Sequence, residues 1–380
     1  MQKKMSVLGI VGLLFGAVCV VAAYQHQGER DSRNFLLACP GKAGGKLDQC
    51  ALCHSGGRLE KNGVNVVVGS CQWCHFKYGY DMKGALAETL NAYGRDYLAH
   101  GRDAAAVTAI AVLDSDGDGF TNHDEIAADR FPGSTGDDPR KTPAPMRIYT
   151  RSQLEALPQH SQFLLQNAAK SKDEYAEFSG VTMEALLLDA GILGSATGIT
   201  VFAPDGWSQY HPLRPLADAA MYPVFGVYPR AGYFFSPQAA SWCDYSARSC
   251  AGRKPGAAIR VPGGLRLLLA LKREGAPLLP AVLNLENKLD GEGPYRVIVP
   301  QKVPSPPDQS SKAGDKDGLW PYRGDWDHNA GASTRSVVII RVEPLPPGTT
   351  DIDCSEAGWN YVAEGKIVIY GAIAAPPPHS

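Results

Sequence analysis

The chain has 380 residues, 44% hydrophobic and 20% charged, enough for two or three cored domains and too apolar for a wholly disordered polymer. Its 37 Lys plus Arg against 39 Asp plus Glu give a formal net charge of −2 without any basic stripe, so no nucleic acid partner is expected. The 41 Gly and 28 Pro follow no triplet period, which excludes a collagen-like rod.

Lys3 and Lys4 precede an apolar run from Met5 to Val21, which closes on Ala22-Ala23 before the polar Tyr24-Gln25-His26. A basic start, an apolar middle and small residues before a polar stretch predict a signal peptide over 1–23. The run is about 17 residues, short of the roughly 20 that cross a bilayer comfortably, and an uncleaved anchor is the alternative. A lipoprotein at Cys19 fits less well, because Val18 is bulky where a small residue is needed. Both main readings place the remainder in the periplasm or outside the cell. No membrane span is expected after cleavage. Cleavage would remove one of the nine cysteines and two lysines, taking the formal charge from −2 to −4.

Two pentapeptides then carry chemistry. Cys50-Ala51-Leu52-Cys53-His54 and Cys71-Gln72-Trp73-Cys74-His75 both read C-x-x-C-H, the attachment signal of c-type haem. Two thiols three positions apart on one side of a turn can each form a thioether to a haem vinyl group, and the adjacent imidazole points at the iron. Cys50, Cys53, Cys71 and Cys74 are therefore expected to hold two covalent haems, with His54 and His75 as proximal ligands. The competing readings are a zinc site on the four cysteines or a redox disulfide. Zinc gives no reason for a histidine after both pairs.

For the sixth iron position the first candidate is His100, at the end of a predicted amphipathic helix carrying Met82, Leu86, Leu90, Tyr93 and Tyr97 on one side. Met82 and His26 follow it. A helix is expected over Ala104–Leu113, with Asp103 as its N-cap. Residues 114–125 then match a twelve-residue calcium loop. Asp114, Asp116 and Asp118 stand at positions 1, 3 and 5, Gly119 at 6, Phe120 offers a carbonyl at 7, Asn122 stands at 9 and Glu125 at 12. One calcium ion is expected there, in a structural role, because no second loop partners this one. Phe131-Pro132-Gly133 ends a short exit helix, and His123 is expected to face water.

These motifs in order, with Leu90-Asn91-Ala92-Tyr93-Gly94 between them, resemble exported bacterial haem c modules with an embedded calcium loop. The likeness covers about residues 45–140 of a domain placed at 24–132. Residues 133–146 read as a linker. Beyond it, helices are predicted over Arg151–Leu165, kinked or restarted at Pro158, and over Thr182–Ala190. Strands are predicted over Ile199–Phe202, Val224–Tyr228, Leu265–Lys272, Tyr295–Val299, Val337–Val342 and Ile367–Tyr370. The fold class expected is α+β: a small helical dihaem cytochrome c domain with its calcium loop, then a mainly antiparallel β/α domain over 147–373, with a disordered tail at 374–380.

That second domain is similar to the molybdopterin-binding domain of the sulfite oxidase family in Gly180–Leu187, Val201–Trp207 and Gly291-Glu292-Gly293-Pro294-Tyr295-Arg296. The tetrapeptide Gly291–Pro294 makes the whole chain resemble the GEGP-motif dihaem cytochromes. The sulfite oxidase family's molybdenum thiolate would lie upstream of the 180–187 stretch, yet residues 75–242 contain no cysteine, so molybdopterin is not expected. Gly293 and Pro294 then shape a turn into the strand that follows. Cys243 and Cys250 suggest a local disulfide in an exported chain, while Cys39 and Cys354 are left to pair or stay apart. The reading is an exported electron-transfer protein with redox partners in the cell envelope, its C-terminal domain serving for docking or as a scaffold. The alternative is an enzyme whose C-terminal domain binds a substrate or pterin and passes electrons to the haems.

Overall fold

The computed structural model of the chain describes residues 29–61, 64–68, 73–74, 77–78, 84–215, 221–226, 228–236, 242–284, 289–312, 320–353 and 358–375. The expected signal segment, His26, Cys71, His75, Met82, Cys354 and residues 376–380 lie outside them. Among the described residues no helix is long and apolar enough to cross a membrane. Short helices and mixed sheets make an α+β architecture.

Helices Glu29–Ala38, Ala92–Ala99, Ala104–Ala109 and Asn122–Ala127 enclose one apolar cluster that includes Phe35, Leu52, Tyr93, Tyr97, Ile110 and Ile126. Side-chain caps start three of them: Asn91 accepts from the Gly94 N–H, Asp103 from Ala106 and Thr121 from Asp124. The helix expected over Ala104–Leu113 tightens after Ala109 into a 3-10 turn at Ile110–Val112. The helix expected to carry Met82 through Tyr97 is shorter than predicted. Leu86–Thr89 is a 3-10 turn, Leu90 is extended and bridges to His54, and the α-helix begins only after the Asn91 cap. Between the two cysteine motifs lies an antiparallel hairpin, Gly57–Lys61 with Val64–Val68, which the sequence reading did not include.

The C-terminal part is built on two sheets. In the first, Met146–Thr150, Lys366–Gly371, Ile339–Glu343, Gly198–Phe202 and Ser208–Pro212 lie in that order, antiparallel except for the parallel pairing of Lys366–Gly371 with Ile339–Glu343. The second centres on Asp173–Thr182, flanked by Gln159–Gln166 and Leu268–Arg273, with Arg296–Ile298 beyond. Phe178, Leu187, Val201, Leu269, Val297 and Ile340, all fully buried, belong to the core that the sheets and the helix Met183–Asp189 share.

Four predicted strands recur within a few residues of their expected ends, as does the strand Lys366–Gly371. Two predictions fail. Arg151–Leu165 is a helix only to Ala156, and Gln159–Gln166 is a strand. Pro158 forces Leu157 into extended geometry, and the apolar run Phe163–Leu165 then serves a sheet buried on both faces. Val224 and Phe225 bond back to Pro212 and Leu213 without forming a strand. The predicted linker is also partly structured, because Thr142–Pro143 pairs in parallel with Thr349–Thr350. Beside that pair the Lys46 ammonium, buried, donates to Asp137 at 2.7 Å and to Thr350 at 3.3 Å. Asp137 also accepts from the Phe131 N–H at 2.9 Å and from the Thr350 hydroxyl. This polar knot joins the helical part to the sheets.

Candidate functional site

The first cysteine motif sits on a 3-10 turn at Cys50–Leu52, with the N–H groups of Cys53 and His54 both donating to the Cys50 carbonyl. Asn91 holds this turn in place. Its amide donates to the Ala51 and Leu52 carbonyls at 3.1 and 3.0 Å, its backbone N–H to the Cys53 carbonyl at 2.9 Å, and its Oδ1 caps the helix Ala92–Ala99. Gly94 is where the helix meets the motif: a Cβ there would stand 2.1 Å from the Cys53 carbonyl oxygen. A Cβ on Gly133 would likewise fall 2.5 Å from the Asn91 amide.

His54 is half-buried, with Nδ1 2.8 Å from the Thr89 hydroxyl. Burial lowers its pKa, opposed by hydrogen bonding to the Thr89 backbone and by the Asp31 carboxylate. A neutral imidazole is the form that binds a metal. Burial, then the negative neighbours Asp31 and Cys50, push the Cys53 thiol up to about 12, and burial and Cys50 raise that of Cys74. Cys74 of the second motif therefore lies within electrostatic reach of Cys50 of the first. Trp73 anchors the second motif, its indole N–H donating to the Glu88 carbonyl at 3.1 Å. Cys71 and His75 lie outside the described residues.

Among the described residues, only Asp114, Asp116 and Asp118 form a cluster of three or more potential ligands with donor atoms within 4.8 Å of one another. Cys50, Cys53 and Cys74 do not converge as thiolates around a zinc ion would. His100 stands at the end of its helix, as expected. It is exposed at the C-cap of its helix, with Nδ1 2.8 Å from the Asp96 carbonyl, while the buried face of that helix is Tyr93, Gly94 and Tyr97. Its ring is turned back on its own helix end rather than toward the motif.

The acidic loop folds as its spacing demands. Asp114 accepts from the N–H groups of Gly117, Asp118 and Gly119, and Gly119 takes the left-handed conformation (φ +98) that the sharp turn requires. Asp118 accepts from the Phe120 N–H at 3.0 Å. Glu125 is fully buried, and neither of its carboxylate oxygens has a hydrogen-bond partner. Asp116 Oδ2 and Asp118 Oδ2 are also buried without one. Burial, then the neighbouring aspartates, raise the Glu125 pKa to about 9 and that of Asp116 to about 6. Four buried oxygens without donors suit a hard cation, which would replace the missing protons. Asn122 departs from expectation. Its amide donates to the Ile110 carbonyl at 2.7 Å and to the Ser115 hydroxyl at 2.9 Å, and its Oδ1 accepts from the Ser115 N–H, so it braces the loop from behind. His123 is exposed, as predicted.

In the C-terminal part, Gly291–Pro294 leads into the buried Tyr295 and the strand after it. Glu292 pairs with Arg273 at 2.7 Å and Arg296 at 2.6 Å, and Glu174 closes the network at 2.8 and 3.1 Å. Burial opposes ionisation of Glu292, yet Arg296 and Arg273 hold its carboxyl below the usual range. The tetrapeptide is thus a structural turn with a charge clamp. Cys243 and Cys250 are separate thiols, not the expected disulfide. Both are buried in the cluster of Phe163, Tyr175 and Phe234, and the Cys250 thiol contacts the Tyr175 carbonyl at 3.8 Å. Burial pushes both pKa values up. His211 is fully buried with Nδ1 3.0 Å from the Tyr222 carbonyl, and His328 meets Asp308 at 3.3 Å.

The sequence reading missed Thr89 and the grip of Asn91. The order Asn91-Ala92-Tyr93-Gly94 was visible as a motif, but only the fold shows that it closes on the cysteine turn. Comparison with family models, with curated proteins and with solved structures finds no match to this chain.

Proposed function

We propose that the chain is an exported, periplasmic or extracellular dihaem c-type cytochrome that transfers electrons between partners in the cell envelope. Its acidic loop is a structural calcium site. Its C-terminal domain, which the sequence likens to a molybdopterin-binding fold of the sulfite oxidase family, serves for docking or as a scaffold. The observation that carries this reading is the first motif. Asn91 and Gly94 lock the turn bearing Cys50 and Cys53, and Thr89 meets Nδ1 of His54, which suits iron binding through the other ring nitrogen.

The residues fit the group. Thioether formation adds a protonated S–H across a vinyl C=C, and burial keeps Cys53 protonated. When bound, haem supplies a one-electron iron couple. The chain's own part is to present thiols and imidazole on a rigid turn, with Tyr93, Leu52 and Phe35 packing an apolar wall beside it. A histidine directly after each cysteine pair favours this over a zinc-thiolate knot. In the C-terminal domain the described cysteines are thiols sunk among aromatic rings, which does not suit a molybdenum thiolate. The test is a pyridine haemochrome assay with intact mass on protein matured in a host that assembles c-type cytochromes. Two covalent haems per chain are expected; fewer than two would refute the reading.

A further inference from the structure

We propose that Thr89 is a positioning residue for the first haem, fixing the tautomer of His54 and with it the potential of that iron alone; this rests on the haem reading above. Thr89 is fully buried. Its hydroxyl lies 2.7 Å from the Leu86 carbonyl and 2.8 Å from Nδ1 of His54. A carbonyl only accepts, so the single hydroxyl hydrogen is committed to Leu86. Toward His54 the Thr89 oxygen can then act only as an acceptor, and the imidazole proton must reside on Nδ1. The lone pair is left on Nε2, the nitrogen that faces away from Thr89.

The backbone makes this arrangement rigid. The Ser55 N–H donates to the Thr89 carbonyl at 3.0 Å and the Asn91 N–H to the Cys53 carbonyl at 2.9 Å, bracketing the bridge between His54 and Leu90. Thr89 is thereby held on both sides by backbone hydrogen bonds. A hydrogen bond from Nδ1–H to an acceptor makes the imidazole a stronger donor to iron and favours the ferric state. The Thr89 contact is made at the first motif, so the effect is local to it.

The test uses the full-length, haem-loaded protein and its Thr89→Val and Thr89→Ser variants, each titrated spectroelectrochemically. Thr89→Val keeps the shape and removes the acceptor. It should shift one midpoint upward by about tenfold in ferric preference, about 59 mV for one electron. The other midpoint should stay in place, and Thr89→Ser should restore the wild-type value. If Thr89→Val does not accumulate, Thr89→Ala gives the same readout. Two haems per chain with both midpoints unmoved in the variant would overturn the role of Thr89 and leave the cytochrome reading standing. A wild-type chain without covalent haem would overturn both.

Discussion

Removing the proposed calcium ion from the acidic loop should make stability fall as pH rises, the reverse of ordinary acid denaturation. In the metal-free fold Glu125 is buried without a hydrogen-bond donor, and burial together with four aspartates raises its pKa to about 9. In the unfolded chain the same carboxyl titrates near 4.3. Below that value both states hold the proton and there is no penalty. Between it and about 9 the folded state binds a proton that the unfolded state does not, so stability drops by about 1.4 kcal/mol per pH unit. Over pH 5.5 to 8 this amounts to about 3 kcal/mol, or about 2 kcal/mol after solvent screening at the loop mouth. A bound calcium ion takes the place of the proton and removes the slope. Guanidinium denaturation followed by circular dichroism, in calcium and in EGTA at both pH values, measures the gap. It should widen by about 2 kcal/mol at the higher pH, and Glu125→Gln should abolish the widening. An equal gap at both pH values, or no calcium effect, would refute the reasoning.

Three further outcomes follow from the packing. Asn91→Ala removes a helix cap and two donors to the cysteine turn, so it should cost about 2–3 kcal/mol and lower haem occupancy at the first motif, as read by peptide mass. Lys46→Ala leaves Asp137 buried without its ammonium; a loss of about 3 kcal/mol and faster limited proteolysis within 133–146 are expected. Burial lowers the His211 pKa to about 4, below its unfolded value, so its contribution is intact at pH 7 and is lost as pH falls from about 6.5 toward 4. Urea denaturation at pH 7 and pH 5 should show a loss of about 2 kcal/mol that His211→Asn removes.

Local chemistry was legible where a residue type has one use. The twelve-residue spacing foretold the turn glycine and the clustered aspartates, because these positions are neighbours in sequence. Asn122 shows the limit of that reading. An asparagine at position 9 can turn its amide to a cation or to the chain, and here it turns to the Ile110 carbonyl at the end of the preceding helix. His100 shows a second limit. The periodicity of Tyr93 and Tyr97 located the buried face, but a histidine one step past the helix end finds the Asp96 carbonyl nearer than any interior partner. In the C-terminal part, β-branched runs located strands, whereas Gln159–Gln166 was hidden because its polar ends and apolar middle mimic a helix that Pro158 only kinks.

The part least visible in the sequence is the one that makes the motifs a unit. Gly133 abuts Asn91, Asn91 grips Ala51 and Leu52, Gly94 abuts Cys53, and Thr89 meets His54. Each contact spans tens of residues, so no local pattern reports it. Yet each one also requires a small or hydrogen-bonding residue at a set place. The ordered run of motifs along the chain is therefore the linear trace of a contact path around one cysteine turn. Phe131-Pro132-Gly133 matters to the site because it brings the glycine to Asn91, and the acidic loop matters because the exit helix that follows it, Asn122–Ala127, ends just before that turn. The Arg130 N–H, donating to the Glu125 carbonyl at 2.8 Å, ties the loop's last ligand directly to that stop. A cation that orders Glu125 would thus steady the cysteine turn through backbone alone, without touching either thiol.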